Sequence, residues 1–260
     1  MPETGLASRV AAIAAEAGRL AMARWETEFR RWEKVPGSPV CDVDLEVDAL
    51  LRQRLGALLP DAGWLSEETA DDRARLSARR VWVVDPIDGT RDYLRHRPGW
   101  AVSVALVEDG APVIGVLDAP ARGESWTAEA GKGAWRDGER LRVAARDRLA
   151  GARVPADQLP RVDSDLVMVA KPNSIALRIA MVAAGEADLL ATIRWGNEWD
   201  VAAAVLIARE AGAAITDALG RPLAFNTPSG QAFGVLASAP GIHAAAVERL
   251  ADRARDVLGG

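Results

Sequence analysis

A strand-like segment that ends in two carboxylates is the feature that most constrains the fold of this 260-residue chain. Residues 81–84 read Val-Trp-Val-Val, a continuous β-branched and aromatic run typical of a strand buried on both faces. The next residues are Asp85-Pro86-Ile87-Asp88-Gly89-Thr90. Pro86 fixes one backbone angle, and Gly89 permits conformations that other residues avoid. The segment therefore predicts a central strand that ends abruptly in a tight turn, with both aspartates aimed at one point.

The chemistry of that turn suits a hard cation beside an anion. The two aspartate carboxylates and the Ile87 carbonyl are oxygen ligands of the kind that Mg²⁺ prefers. The amide groups around Gly89 and Thr90 are able to hold an anion next to the metal. The alternative is that Asp-Pro and Asp-Gly are only turn formers. The position of the whole string after a buried strand favours a functional site.

The order of predicted elements indicates helices and strands in groups, not in strict alternation. Apolar positions at helical spacing predict a long helix over 6–33, broken by Pro36, Gly37 and Pro39, and a second helix that ends at Pro60. A short strand follows at 63–66. Strand patterns at 100–108, 112–118 and 124–128 predict an antiparallel meander after the central strand. This grouping favours packed layers of helix and sheet over a Rossmann or TIM fold.

The pattern changes after residue 147, which divides the chain into two halves. The first, residues 1–147, is predicted to be an α+β half that carries the main acidic motifs, and 148–165 to be a connection. The second, residues 148–260, is predicted to be an α/β half. Its predicted strands lie at 166–170, 188–192, 213–218 and 233–238, and its predicted helices at 174–185, 199–212 and 241–258.

Composition excludes several classes of protein. The formal net charge of −5 disfavours a nucleic-acid polymer as partner. One cysteine and two histidines leave no internal disulfide and disfavour zinc sites. The amino terminus lacks the basic region of a signal peptide, and the charge-poor stretch from Pro222 to Val247 is broken by polar residues, Pro and Gly. We therefore expect a cytoplasmic protein with no membrane partner.

Three further acidic segments are candidates to join the turn. They are Ser66-Glu67-Glu68 after a predicted strand, Glu198-Trp199-Asp200 before an Ala-rich helix, and Cys41-Asp42-Val43-Asp44 at a helix start. Taken alone, each has an ordinary structural explanation as a solvated loop or as carboxylates that favour a helix N-terminus. Cys41 is a residue type more often buried as packing than used as a nucleophile.

Several rival active sites are absent from the sequence. It contains no phosphate-binding G-x-x-x-x-G-K-[ST] loop, no H-E-x-x-H zinc motif and no G-x-S-x-G nucleophile elbow. A haloacid-dehalogenase-type phosphatase has Asp-x-Asp-Gly-Thr after its strand. Here Pro86 stands where the nucleophilic aspartate of that family belongs, which disfavours an aspartyl-phosphate mechanism.

These motifs, in this order, resemble the inositol monophosphatase superfamily of Mg²⁺-dependent, lithium-sensitive phosphatases. The resemblance covers almost the whole chain and rests on Ser38-Pro39-Val40 with Asp44, on Ser66–Glu68, on Asp85–Thr90, and on Trp199–Ala204 leading to Glu210-Ala211-Gly212. It implies a layered α-β-α-β-α sandwich and a homodimer.

The resemblance also implies a role for each matching residue. Glu67, Asp85 and the Ile87 carbonyl would bind one Mg²⁺, and Asp85, Asp88 and Asp200 a second, with Glu67 helping to hold a third ion through water. Asp44 and Thr90 match the catalytic pair that orients and deprotonates the attacking water, and Glu67 is counted with them. Gly89, Thr90, Asp200 and Ser174 would contact a small phosphorylated substrate.

The chain departs from the family pattern at three places. Cys41 stands where Thr is common, Pro172-Asn173-Ser174 where Gly-Ser is usual, and Ala213-Ala214 where a Gly pair is frequent. No departure removes a carboxylate, so these changes bear on the substrate and not on the reaction. Ser174, Arg178 and Arg91 are candidate substrate contacts, with a helix cap or a solvated charge as the alternative.

Within the superfamily, Leu65–Glu68 and Glu198–Asp200 look most like bacterial 3′(2′),5′-bisphosphate nucleotidases of the CysQ type. We therefore predict hydrolysis of the 3′-phosphate of 3′-phosphoadenosine 5′-phosphate by water activated by two or three Mg²⁺ ions. The first alternative is an inositol-1-phosphate or related polyol or sugar phosphatase. The second is a regulator that binds metal or phosphate without turnover.

Overall fold

A computed structural model, which describes residues 5–35 and 37–259, contains a layered arrangement of helices and strands. The helices are α1 (Leu6–Trp25), α2 (Asp42–Leu58), α3 (Thr90–Tyr93), α4 (Ile175–Ala183), α5 (Ala202–Glu210) and α6 (Pro240–Gly259). The strands are β1 (Arg31–Val35), β2 (Ser38–Cys41), β3 (Gly63–Ser66), β4 (Arg80–Asp88), β5 (Ala101–Glu108), β6 (Ala111–Ala119), β7 (Glu124–Glu129), β8 (Gly133–Arg136), β9 (Glu139–Arg140), β10 (Arg153–Pro155), β11 (Val167–Val169), β12 (Leu189–Asn197), β13 (Ala214–Thr216) and β14 (Gln231–Ser238).

The predicted central strand lies inside a seven-stranded sheet ordered β3-β4-β5-β6-β7-β8-β9. β4 runs parallel to β3 and antiparallel to β5, and every residue from Val81 to Asp88 is buried. The strands from β4 to β9 pair antiparallel with their neighbours, as the meander pattern predicted. The parallel β3–β4 pair brings the carboxyl ends of these two strands to the same edge of the sheet.

Helices cover both faces of this sheet, and a second sheet adds further layers. α1 and α2 pack on one face, and α5 packs on the other beside α4. A three-stranded sheet ordered β12-β14-β13 packs against α4 and α5, and α6 covers its far side. The resulting α-β-α-β-α order confirms the predicted fold class. The boundary at residue 147 stays a prediction.

Buried apolar residues between the layers hold them together. One cluster joins α1 and α2 to the large sheet, and includes Leu51 and Trp82. Another joins that sheet to α4, α5 and the small sheet, and includes Leu177 and Val205. Replacing such a buried leucine with alanine typically costs about 2–5 kcal/mol of unfolding free energy.

The long helix predicted over 6–33 is wrong in its second half. α1 ends at Trp25, where Thr27 donates its amide to the Arg24 carbonyl at 3.0 Å and its hydroxyl to the same oxygen at 2.8 Å. Residues Arg31–Val35 form β1, which pairs antiparallel with β2. Pairing with a neighbouring strand has overridden the local helical pattern. Pro36, predicted to break the helix, lies outside the described residues.

Within the described part of the chain, no helix combines the length and apolarity needed to cross a bilayer.

Candidate metal and phosphate site

A cavity of about 180 Å³ lies where β3 and β4 end. Segments distant in the sequence meet there, from the β1–β2 hairpin to the residues before α5. The predicted site residues that line it are Glu67, Asp85, Ile87, Asp88, Gly89, Thr90 and Asp200. Asp44 and Ser174 lie behind this lining and contact it through Thr90 and Asp88.

A β-bulge shapes the turn that carries the two aspartates. Asp85 pairs with Ser103 and Asp88 pairs with Ala101, so that Pro86 and Ile87 together lie opposite one residue of β5. Proline is tolerated at such a position because the bulge leaves a ladder donor unpaired. The strand therefore continues through Asp88, four residues beyond the predicted end. The Ile87 amide donates to Asp85 Oδ1 at 3.0 Å and fixes that carboxylate against the bulge.

Gly89 turns the chain from β4 into α3 with a φ of 99°. A Cβ at this position would lie 2.7 Å from the Gly99 carbonyl oxygen and 2.9 Å from the Ser174 amide nitrogen. Both the backbone angle and the close approach therefore require glycine. This turn brings the Thr90 hydroxyl to 3.0 Å from the Ile87 carbonyl oxygen and 3.4 Å from Asp44 Oδ1.

Asp44 lies in the first turn of α2, with its side chain folded back to the start of the helix. Its Oδ2 accepts hydrogen bonds from the Cys41 amide at 2.8 Å and the Cys41 thiol at 2.9 Å. The residue is 1% exposed, and burial raises the pKa of its carboxyl to about 6. Cys41 is thus a buried positioning group for Asp44, and burial and the Asp44 charge raise the pKa of its thiol.

The paired glutamates that follow β3 differ in their surroundings. Lys34 Nζ, from the β1–β2 hairpin, lies 3.1 Å from Glu67 Oε1 and 2.5 Å from Glu68 Oε1. Burial raises the pKa of Glu68 to about 7. Glu67 lines the cavity and Glu68 does not. Lys34 was not predicted as part of the site, because nothing in the sequence indicated that its segment forms a hairpin.

A second buried carboxylate on α2 holds this loop. Asp48 accepts hydrogen bonds from the Ser66 hydroxyl and, at 2.6 Å, from the Thr69 hydroxyl. Asp48 was not predicted as part of the site, although its spacing of four residues from Asp44 places both on one helix face.

Asp88 is held by the first turn of α4. Its Oδ2 accepts from the Ser174 hydroxyl and from the Ala176 amide at 2.7 Å, and its Oδ1 from the Ile175 amide at 3.3 Å. Burial raises the pKa of Asp88 to about 6, and these hydrogen bonds oppose the rise. The Ser174 hydroxyl also accepts from the Leu177 amide at 2.9 Å. Ser174 is therefore fully buried as a helix cap behind Asp88, and not on the cavity surface where a substrate contact was expected.

Asp200 reaches the cavity from the segment just before α5. Its Oδ2 lies 3.4 Å from the Asn197 amide. The neighbouring Glu198 is fully buried and accepts the Asn226 amide at 2.6 Å, the Thr227 amide at 2.8 Å and the Thr227 hydroxyl at 2.6 Å. Glu198 was predicted only as part of a motif, and the structure assigns it to anchoring the approach to α5.

The carboxylates of the cavity repel one another. Burial raises the pKa of Asp85 well above its usual range, and the charges of Glu67, Asp88 and Asp200 raise it further. Burial and the charges of Asp88 and Glu67 act in the same direction on the pKa of Asp200. A cluster of this kind is stabilised by a bound cation, which reverses the local sign of charge.

The donor set fits Mg²⁺ in its chemistry. The cavity offers four carboxylates and the Ile87 residue with its main-chain oxygen, and oxygen donors are what this ion prefers. Among residues 5–35 and 37–259, no three His, Cys, Asp or Glu side chains are already gathered as a metal cage. Asp88 is instead engaged by α4, and Glu67 by Lys34. The number of ions stays a prediction.

The two arginines proposed as substrate contacts line the cavity, but their side chains donate hydrogen bonds to backbone carbonyl oxygens. Arg91 Nη2 donates to the Gly37 carbonyl. Arg178 donates from Nε to the Pro172 carbonyl at 2.8 Å and from Nη2 to the Asn173 carbonyl. A third arginine of the cavity, Arg194 of β12, was not predicted.

Comparison with known proteins shows similarity over most of the chain. The model of the inositol monophosphatase family matches residues 3–256. An inositol-1-monophosphatase of Rhizobium meliloti is 35% identical over 204 residues, which cover 72% of this chain and 75% of the relative. The 3′(2′),5′-bisphosphate nucleotidase CysQ of Escherichia coli K12 is 32% identical over 203 residues, covering 73% and 80%. The solved structure of the Thermotoga maritima IMPase superposes with a TM-score of 0.82 at 28% identity, covering 95% of this chain and 97% of that one.

Proposed function

Since the chain belongs to the inositol monophosphatase family and is a phosphatase, we propose that it removes the 3′-phosphate of 3′-phosphoadenosine 5′-phosphate with Mg²⁺ as cofactor. The observation that carries the proposal is that Thr90 lines the acidic cavity and also contacts the buried Asp44 behind it. The carboxylates are suited to hold metal, and the pair is suited to move a proton beside them.

Asp44 serves as the general base in this proposal. A base is most effective when its pKa lies near the working pH, and burial brings the pKa of Asp44 to about 6. The Thr90 hydroxyl, 3.4 Å from Asp44 Oδ1, orients the attacking water and passes its proton to Asp44. The two hydrogen bonds from Cys41 to Oδ2 leave Oδ1 as the oxygen that faces Thr90.

Glu67, Asp85, Asp88, Asp200 and the Ile87 carbonyl would hold the metal ions. Bound Mg²⁺ would neutralise phosphate charge and lower the pKa of water near the scissile bond. The amides of Gly89 and Thr90, at the start of α3, would contact the substrate phosphate.

The nucleotide is proposed as substrate because the CysQ relative matches most of both chains and the Leu65–Glu68 segment looks like that subgroup. The inositol-1-monophosphatase relative, at 35% identity, favours inositol-1-phosphate as the second candidate. A homodimer, inhibition by lithium and a cytoplasmic location belong to the same proposal. Light scattering checks the homodimer, and titration of phosphate release with lithium checks the inhibition.

The decisive experiment measures phosphate release from 3′-phosphoadenosine 5′-phosphate and from inositol-1-phosphate side by side, with Mg²⁺ and with a chelator. We expect Mg²⁺-dependent release with preference for the nucleotide. Preference for inositol-1-phosphate would overturn the nucleotide assignment and keep the reaction. Absence of Mg²⁺-dependent release from either would contradict the proposed reaction and favour a non-catalytic regulator.

A further inference from the structure

Arg194 differs from the other two arginines of the cavity in having free donors. Arg91 and Arg178 donate to backbone carbonyls. In the described part of the chain, the Arg194 side chain makes no hydrogen bond and no ion pair, although its charge acts on Asp200 at longer range. The guanidinium of Arg194 is exposed on the surface of the same cavity as Asp88 and Asp200.

A β-bulge places Arg194 at the cavity. Thr192 pairs with Val235 and Trp195 pairs with Phe233, so that Ile193 and Arg194 together lie opposite Gly234. Gly234 has a φ of 68°, and a Cβ there would lie 2.2 Å from the Thr192 carbonyl oxygen. Bulges re-aim side chains and are frequent beside active sites. Here the bulge sets Arg194 on the cavity surface while Trp195 stacks edge-on against Phe233, with ring centroids 5.4 Å apart.

Two like charges meet at this part of the cavity. Burial lowers the pKa of Arg178, the charge of Asp88 raises it, and the positive charge of Arg194 lowers it. A guanidinium stays protonated in proteins, so an anion bound beside both side chains would offset their repulsion. The charge of Asp88 acts on Arg178 and that of Arg194 acts on Asp200, but both carboxylates would be occupied when metal is bound.

We propose that Arg194, beside Arg178, forms a second anion subsite that binds the non-reacting phosphate of a bisphosphorylated substrate. The inference rests on the proposed function and deepens it by naming a residue that selects bisphosphates over monophosphates. The metal-binding carboxylates serve the phosphate that is removed. A monophosphate would leave the arginine pair without an anion, whereas a second phosphate would accept charge-assisted, bidentate hydrogen bonds from a guanidinium.

The kinetic test compares 3′-phosphoadenosine 5′-phosphate with adenosine 3′-monophosphate, which has the same reacting phosphate and lacks the other. In Arg194→Gln, we expect the ratio of kcat/KM values for the two substrates to fall roughly 10- to 100-fold, because a hydrogen bond to a charged group is lost. Arg194→Lys restores part of the ratio, and the matched control Arg221→Gln, at an exposed arginine outside the cavity, leaves the ratio unchanged.

If the arginines only balance the carboxylate charge, Arg194→Gln will change both substrates by the same factor, and this result would overturn the subsite. A binding measurement decides the question without turnover. Adenosine 5′-monophosphate carries only the non-reacting phosphate, so calorimetry in chelator should show binding that weakens about tenfold or more in Arg194→Gln. Equal binding by the two proteins would also overturn the subsite.

Failure of the proposed function gives a different result. The wild-type protein would then release no phosphate from any substrate with Mg²⁺, while the binding of adenosine 5′-monophosphate would still depend on Arg194. Turnover with an unchanged substrate ratio would instead overturn the subsite alone.

Discussion

The β4 bulge and the β12 bulge shape the same cavity and bring opposite charges to it. In β4, Pro86 and Ile87 lie opposite one residue, and Asp85 and Asp88 flank them. In β12, Ile193 and Arg194 lie opposite Gly234. The first bulge supplies carboxylates that are suited to the reaction, and the second supplies a guanidinium suited to selecting the substrate. The same backbone feature, a β-bulge, therefore directs carboxylates to the cavity in β4 and a guanidinium in β12.

The largest expected effect is the loss of turnover in Asp88→Asn. Asp88 flanks the β4 bulge and is one of the carboxylates that we propose to bind metal. Without its charge, kcat should fall by at least about 10³-fold for every substrate. Phosphate release at saturating Mg²⁺ measures it. The control Asp118→Asn alters a buried carboxylate outside the cavity and should stay active. Full Mg²⁺-dependent activity in Asp88→Asn would show that the metal assignment is wrong.

Thr90→Val tests the proton transfer beside the β4 bulge. The substitution keeps the shape of the side chain and removes the hydroxyl that lies 3.4 Å from Asp44. We expect kcat to fall about 10²-fold, at the lower end of typical acid–base contributions, with a similar factor for mono- and bisphosphates. Thr90→Ser, which restores a hydroxyl, is the matched variant. If Thr90→Val changed only the ratio of kcat/KM values for mono- and bisphosphates, the assignment of the reaction to the β4 bulge and of substrate selection to the β12 bulge would be wrong.

Gly234→Ala tests the β12 bulge through stability. The new Cβ would lie 2.2 Å from the Thr192 carbonyl oxygen, and the φ of 68° is unfavourable for alanine. We expect a loss of about 1–3 kcal/mol of unfolding free energy, measured by denaturant titration, together with a weaker preference for bisphosphates. Gly138→Ala is the control, because Gly138 has a φ of 83° with no atom within 4 Å of the added Cβ. An equal loss in both variants would mean that only the backbone angle matters.

The smallest expected effect concerns Asp118, a buried carboxylate that belongs to neither bulge. Burial raises its pKa from 3.8 to about 6, Arg19 opposes the rise and Asp137 adds to it. A raised pKa means that the folded state loses stability as pH increases from about 4 to about 6, because the folded carboxyl resists ionisation.

Asp118→Asn removes this penalty and should raise the melting temperature above pH 6. The gain is on the order of 1 kcal/mol, or roughly 2–4 °C, and it should shrink toward pH 4. Thermal unfolding at pH 5 and pH 8 checks the sign. A gain that is larger at pH 5 than at pH 8 would contradict the burial of an ionised Asp118.

The parts of the site that were predicted from sequence carry their own local signals. Pro86 and Gly89 restrict the backbone of one short segment, so Asp85–Thr90 could be interpreted without knowing its neighbours. The meander after β4 was predicted for the same reason, from alternating strands and turn residues. The layered fold followed from the grouping of helices and strands, and the structure confirms it.

The parts that sequence missed depend on pairing between distant segments. Residues 31–35 form a strand because β2 pairs with them, and Lys34 thereby reaches Glu67. β12 was predicted to end at 192, and it extends to Asn197 because β14 pairs with it beyond the bulge. Ser174 caps α4, the alternative that the sequence offered to a substrate contact, but its place behind Asp88 depends on where α4 begins relative to β4.

The sequence by itself determined the type of chemistry, because carboxylate, glycine and proline at fixed spacing limit what one turn can do. Only the tertiary structure decided which cations face that chemistry. Lys34, Arg178 and Arg194 come from three separate segments, and no local preference brings them together. Their placement results from strand pairing and helix packing, whose free energy depends on contacts between residues far apart in the chain.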